Sequence, residues 1–188
     1  MSQKARAVVA EAGVVIGYST YLKLLESLLK GKEVIAYGMT QEVERARQAV
    51  QKALEGNSVC VISSGDAGVY GMAGVILEVL KEEDAKKIDL EIVPGIISAT
   101  SCASLLGAPL MTDFAAISLS DLLTSWKEIE SRLHAAARSN FVIVLYNPQS
   151  KTRTRPLARA WRILKKYRPG ETPVGIVKNA YREGQIVK

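Results

Sequence analysis

The chain of 188 residues has few of the side chains on which metal and nucleophilic chemistry usually depend: one histidine, His134, and two cysteines, Cys60 and Cys102. One histidine and two distant cysteines cannot supply a zinc-type ligand set, so no metal site is expected. A Ser-His-Asp triad would have to recruit His134, which lies among Leu133, Ala135 and Ala136 on a helical stretch, and no G-x-S-x-G occurs. His134 therefore reads as a structural or a surface residue. Unclustered cysteines in apolar surroundings point to a reducing, cytoplasmic compartment and away from a disulfide scaffold. No apolar run approaches the roughly 18 residues of a membrane span, and the opening residues carry no export signature. Walker A and G-x-G-x-x-G phosphate loops are also missing.

What is present is the composition of a soluble globular protein, 48% hydrophobic and 23% charged. The formal net charge of +6 is concentrated in one place. Residues 151–168 hold Lys151, Arg153, Arg155, Arg159, Arg162, Lys165, Lys166 and Arg168 and no acid, which leaves 17 basic against 19 acidic residues elsewhere. Such a segment suits a polyanion, either nucleic acid or a small molecule with several carboxylates, and suits a solvated helix face equally well. For base stacking it offers only Trp161 and Tyr167, so a nucleic-acid partner is disfavoured.

Short runs rich in β-branched residues recur at 14–16, 33–37, 59–62, 90–93, 115–119, 141–146 and 174–177. Most are apolar throughout, as strands buried on both faces are, and helical patterns fill most of the gaps. The clearest helix runs over 41–55, with Val43, Ala46, Ala49, Val50, Ala53 and Leu54 as its apolar stripe, Thr40 as N-cap and Gly56 just past its end. A second is entered through Ser125-x-x-Glu128, the spacing of a capping box. Strands alternating with helices predict an α/β protein with mainly parallel pairing. A break at Gly107-Ala108-Pro109 divides it into lobes 1–110 and 111–188. The chain opens on a helix-like segment and closes on a strand-like one, so it reads as cut short at both ends.

Four strand ends carry the candidate chemistry. After 59–62 comes Ser63-Ser64-Gly65-Asp66-Ala67-Gly68-Val69-Tyr70-Gly71, a glycine-rich turn where backbone approaches another group closely. Ligands of open α/β sheets gather outside such carboxyl ends. Asp66 either accepts hydrogen bonds from a ligand or caps the following helix. The second is Val93-Pro94-Gly95-Ile96-Ile97-Ser98, leading into a helix of small residues. Tyr146-Asn147-Pro148 and Lys178-Asn179-Ala180 are the third and fourth. Asparagine amides suit the polar edges of an adenine or an amino acid, and they are equally common turn residues.

Together, Ser64–Ala73, Val93-Pro94-Gly95-Ile96, Asp113–Leu123 and Leu145-Tyr146-Asn147-Pro148 resemble the tetrapyrrole methyltransferases of cobalamin synthesis over essentially the whole chain. Ser118–Leu123 with Tyr146-Asn147-Pro148 resembles the branch acting at C17 of precorrin-3B or cobalt-factor III. The resemblance implies a two-lobed homodimer with a mainly parallel N-terminal lobe and a mixed C-terminal lobe. It also implies S-adenosylmethionine in the cleft, methylation of C17 and ring contraction. Carried over, Gly65, Asp66, Ala67, Gly68, Val69 and Tyr70 contact the cofactor, and Ile97, Ser98, Tyr146, Asn147, Asn179 and Ala180 complete its pocket. Lys151, Arg153 and Arg155 fit the carboxylates of the macrocycle, and Asp66, Ser120 and Asp121 are candidates for proton transfer. The alternative is a relative acting on another tetrapyrrole carbon or on RNA. Two departures stand out: the family's N-terminal Gly-Pro-Gly loop is missing, and Thr112 stands where relatives commonly have His.

Overall fold

The computed structural model describes residues 1–150 and 153–188 and divides them into two compact units, Met1–Ile97 and Ser98–Lys188. The first unit is built on a parallel sheet of β1 (Val14–Tyr18), β2 (Glu33–Tyr37) and β3 (Val59–Ile62), with β1 in the middle. Val14 pairs with Glu33 on one side and Val59 on the other. The uninterrupted apolar run of β1 follows from its place, because successive side chains serve opposite faces. Val15 packs with Val9, Ala12, Leu22 and Ile62, under α1 (Gln3–Glu11) and α2 (Ser19–Lys23). Val14 and Ile16 pack with Ala49 of α3 (Glu42–Leu54).

Two expectations for this unit are corrected. Thr40 is not the cap of α3: its φ is +65°, and Gln41 holds the N-cap position with its Oε1 accepting the Gly38 N–H at 2.7 Å. Gly56 does end the helix, at φ +87°. Residues 90–93 form no strand: Leu90 and Ile92 are 40% and 47% exposed, and the segment is held by a Lys4–Glu91 ion pair and by the Ser2 hydroxyl on the Pro94 carbonyl. An apolar run needs a free strand edge to pair with, and this one enters no ladder. The unit also contains α4 (Met72–Val79) and the short α5 (Glu82–Ala85).

The second unit contains α6 (Ser98–Leu105), β4 (Phe114–Ser118), α7 (Trp126–Arg138), β5 (Val142–Tyr146) and α8 (Pro156–Leu164). Strands β4 and β5 pair in parallel, Phe114 opposite Val142. Ile117 and Leu119 pack against Ile129, Leu133 and Ala136 of α7 and Ala160 and Ile163 of α8. The Ser125 capping box forms as expected, with the hydroxyl accepting the Glu128 N–H and the Glu128 carboxylate accepting the Ser125 N–H. Of residues 174–177 only Val177 enters a strand: β6 (Val177–Lys178) pairs antiparallel with β7 (Ile186–Val187). Gly175 lies against Leu106 instead, where a Cβ would come within 2.5 Å.

Candidate active site

The glycine loop after β3 is fixed at both ends. The Ser63 hydroxyl accepts the Met72 N–H at 2.9 Å, so Ser63 serves the first turn of α4. Asp66 therefore does not cap that helix. Its Oδ1 accepts the Gly68 N–H at 2.8 Å and its Oδ2 the Gly95 N–H at 2.7 Å, clipping the loop to the Pro94-Gly95 turn. Those amides, Gly95 first, hold the Asp66 carboxyl below its ordinary value, because they favour the charged form.

Two glycines explain why the clip is so close. A Cβ at residue 95 would stand 1.9 Å from the Gly65 carbonyl oxygen, and one at residue 71 would stand 2.6 Å from the Ala67 carbonyl oxygen. Backbone touches backbone at both points. Gly65 and Gly68 remain exposed, and Tyr70, at φ +54°, is exposed beside them. The loop thus presents main chain without side chains at the carboxyl end of β3, a surface suited to a ligand that needs close backbone approach.

In the second unit the ends of β4 and β5 are tied together. The Tyr146 hydroxyl accepts the Ala99 N–H, in the first turn of α6, at 3.0 Å. Asn147, at φ +51°, donates its amide to the Ser118 hydroxyl at 3.0 Å, and the same hydroxyl accepts the Ser120 N–H at 3.2 Å. Asn179, also at φ +51°, donates to the Glu183 carbonyl at 3.2 Å, holding the turn in which Ala180 lies. That turn is joined to α6 by a hydrogen bond between Tyr181 and Ser104 of 2.7 Å. Both asparagines therefore act as turn residues in this structure.

The basic segment is partly committed within the fold. Arg153 donates to the Leu119 carbonyl at 3.1 Å and lies 3.7 Å from Asp121, bracing the loop after β5 against the loop after β4. Arg159 lies 4.2 Å over the Trp126 ring, and Arg168 bonds Asn140 and the Phe141 carbonyl. Arg155, at the start of α8, is exposed. Lys151 lies outside the described residues. His134 bonds the Tyr167 hydroxyl at 2.8 Å, a structural role.

Sequence reasoning missed the pairing of Asp66 with Gly95, the cap from Ser63 and the bracing by Arg153. Pro94-Gly95 after an apolar run was the available signal for the first. The others depend on contacts that spacing does not encode.

A parallel α/β unit with a clipped glycine loop at a strand end, followed in the chain by a second α/β unit, agrees with what the sequence led us to expect of a tetrapyrrole methyltransferase. The chain belongs to that family: residues 1–188 match the Tetrapyrrole (Corrin/Porphyrin) Methylases. It is 53% identical over 190 residues to the cobalt-factor III methyltransferase of Priestia megaterium, covering 100% of this chain and 35% of that protein. It is 46% identical over 185 residues to a probable cobalt-factor III C(17)-methyltransferase of Salmonella typhimurium, covering 97% of this chain and 76% of that one. The chain thus spans about a third of the Priestia protein's length and about three quarters of the Salmonella protein's. The crystal structure of the methyltransferase CobJ matches with a TM-score of 0.91 at 33% identity, over 100% of this chain and 79% of that one.

Proposed function

We propose that the chain transfers a methyl group from S-adenosylmethionine to C17 of cobalt-factor III, with contraction of the macrocycle. The observation that carries this reading is the 53% identity, across the whole chain, to a protein named for that substrate. The clipped loop agrees with it. Exposed main chain at Gly65 and Gly68, beside Tyr70, fits a cofactor that needs close backbone contact. Gly65, Asp66, Ala67, Gly68, Val69 and Tyr70 would hold it, together with Ile97, Ser98, Tyr146, Asn147, Asn179 and Ala180.

The cofactor supplies an activated methyl on sulfur, so the protein needs no nucleophile or metal of its own. These residues would act by fixing the donor's position and excluding water, which is how proximity lowers a displacement barrier. Asp66 serves the loop through two amides, while Ser120 and Asp121 remain the candidates for moving protons during ring contraction. Arg155, with Lys151, would meet the carboxylates of the substrate.

The same reading makes the chain a cytoplasmic homodimer. Free cysteines at positions 60 and 102 agree with a reducing compartment, and Leu122 and Leu123, 70% and 94% exposed, with a partner surface. No helix among the described residues is long and apolar enough to cross a membrane. Incubation with cobalt-factor III and with precorrin-3B, each with S-adenosylmethionine, followed by mass spectrometry, tests the assignment. One methyl added to cobalt-factor III is expected; methylation of neither macrocycle, or of RNA instead, would overturn it.

A further inference from the structure

Arg45 stands out from every other charged side chain of the first unit. It lies in the first turn of α3 and is only 4% exposed. No carboxylate among the described residues comes within ion-pair distance of it. Its Nη2 donates to the Gly38 carbonyl at 3.1 Å, its Nη1 to the Met72 sulfur at 3.4 Å, and its Nε has no partner. A guanidinium cannot shed its charge by losing a proton, so the burial is uncompensated. Taking a cation out of water without a counter-charge is unfavourable, and apolar side chains of similar volume often replace buried charges without loss of stability.

The contacts lie where a ligand site would. Gly38 directly follows β2, and Met72 opens α4 directly after the glycine loop. The arginine links the turn after one strand to the end of the loop after another, both at the carboxyl side of the parallel sheet. Gly38 is exposed, so water would satisfy its carbonyl if the arginine were removed. A thioether is a weak acceptor with little to lose. Folding therefore gains little from this side chain, while its two contacts tie Met72, at the end of the glycine loop, to the turn after β2.

We propose that Arg45 is a positioning residue for the cofactor loop, holding Gly71 and Met72 in the arrangement that receives S-adenosylmethionine. This rests on the methyltransferase reading above. The test compares the parent chain with Arg45→Met and Arg45→Lys by thermal melting, calorimetric titration with S-adenosylhomocysteine and amide hydrogen exchange at Gly71 and Met72 without ligand. Arg45→Met should melt at the parent temperature or higher, exchange faster at those two amides and bind about tenfold or more weakly. Arg45→Lys, which keeps the charge without the planar fork, should fall in between.

Arg45→Met binding within twofold of the parent would overturn the proposal. So would a lower melting temperature or failure to fold, since either makes Arg45 an ordinary structural residue. If the parent itself does not bind S-adenosylhomocysteine, the cofactor reading fails; the exchange comparison then still decides whether Arg45 orders the loop.

Discussion

Asp66→Asn is the most informative single change, because it keeps the shape of the side chain and removes the charge that two amides share. In the native chain each carboxylate oxygen takes one N–H, Gly68 at 2.8 Å and Gly95 at 2.7 Å. A hydrogen bond to a charged group contributes about 1.5–3 kcal/mol, and partial exposure places these at the low end. Asparagine retains one acceptor and turns an NH2 toward the other amide. The clipped arrangement should lose about 1.5–2 kcal/mol, which is about a ten- to thirtyfold weaker affinity for S-adenosylhomocysteine if binding needs the clip closed. Calorimetric titration at neutral pH reads this directly.

The pH dependence carries a sign. The folded carboxyl lies below its ordinary value, so its contribution is complete above the ordinary carboxylate range and is lost as pH falls through the folded value. Parent affinity should be flat from neutral to about pH 5 and fall only in stronger acid. An Asp66→Asn protein that binds within twofold of the parent would refute the reasoning.

Three further outcomes are expected. Gly95→Ala forces a Cβ against the Gly65 carbonyl oxygen at 1.9 Å, so the turn must move; ligand affinity should drop below detection in a protein whose far-ultraviolet dichroism still shows a fold, and unchanged affinity would contradict the packing. Ser125→Ala removes the cap of α7, lowering stability by about 1 kcal/mol and the melting temperature by about 2–4 °C. In the same variant the Glu128 carboxyl, which in the parent is held low first by the Ser125 hydroxyl, should titrate closer to its ordinary value by NMR; no movement would mean the box is not formed in solution. Arg155→Glu should raise KM for the macrocycle in a salt-sensitive manner and leave cofactor affinity unchanged, whereas an unaltered KM at low salt would remove Arg155 from substrate binding.

The legible parts of this chain were those decided by local sequence. The apolar run of β1 announced burial on both faces, and Ser125 with Glu128 announced a helix start, since cap geometry depends on residues three apart. Residues 90–93 have the same composition as a strand and are not one, because pairing depends on an edge elsewhere in the fold. Thr40 has the better capping chemistry, but its left-handed backbone moved the cap position to Gln41.

At the site, the glycine loop was visible as a place and not as a mechanism. The partner of Asp66 is Gly95, 29 residues away, and no spacing rule joins them. Arg45 was hidden for a related reason: the apolar stripe of α3 assigned charged residues to solvent, whereas the buried residues of that helix are Arg45, Ala46 and Ala49.

The most direct measurement is hydrogen exchange of the parent chain with and without saturating S-adenosylhomocysteine. Slower exchange concentrated in residues 65–71 and 95–96 is predicted, because the clipped loop is where the ligand should close on the backbone. Unchanged exchange there at saturation, with protection appearing elsewhere, would contradict the assignment of this loop as the cofactor site.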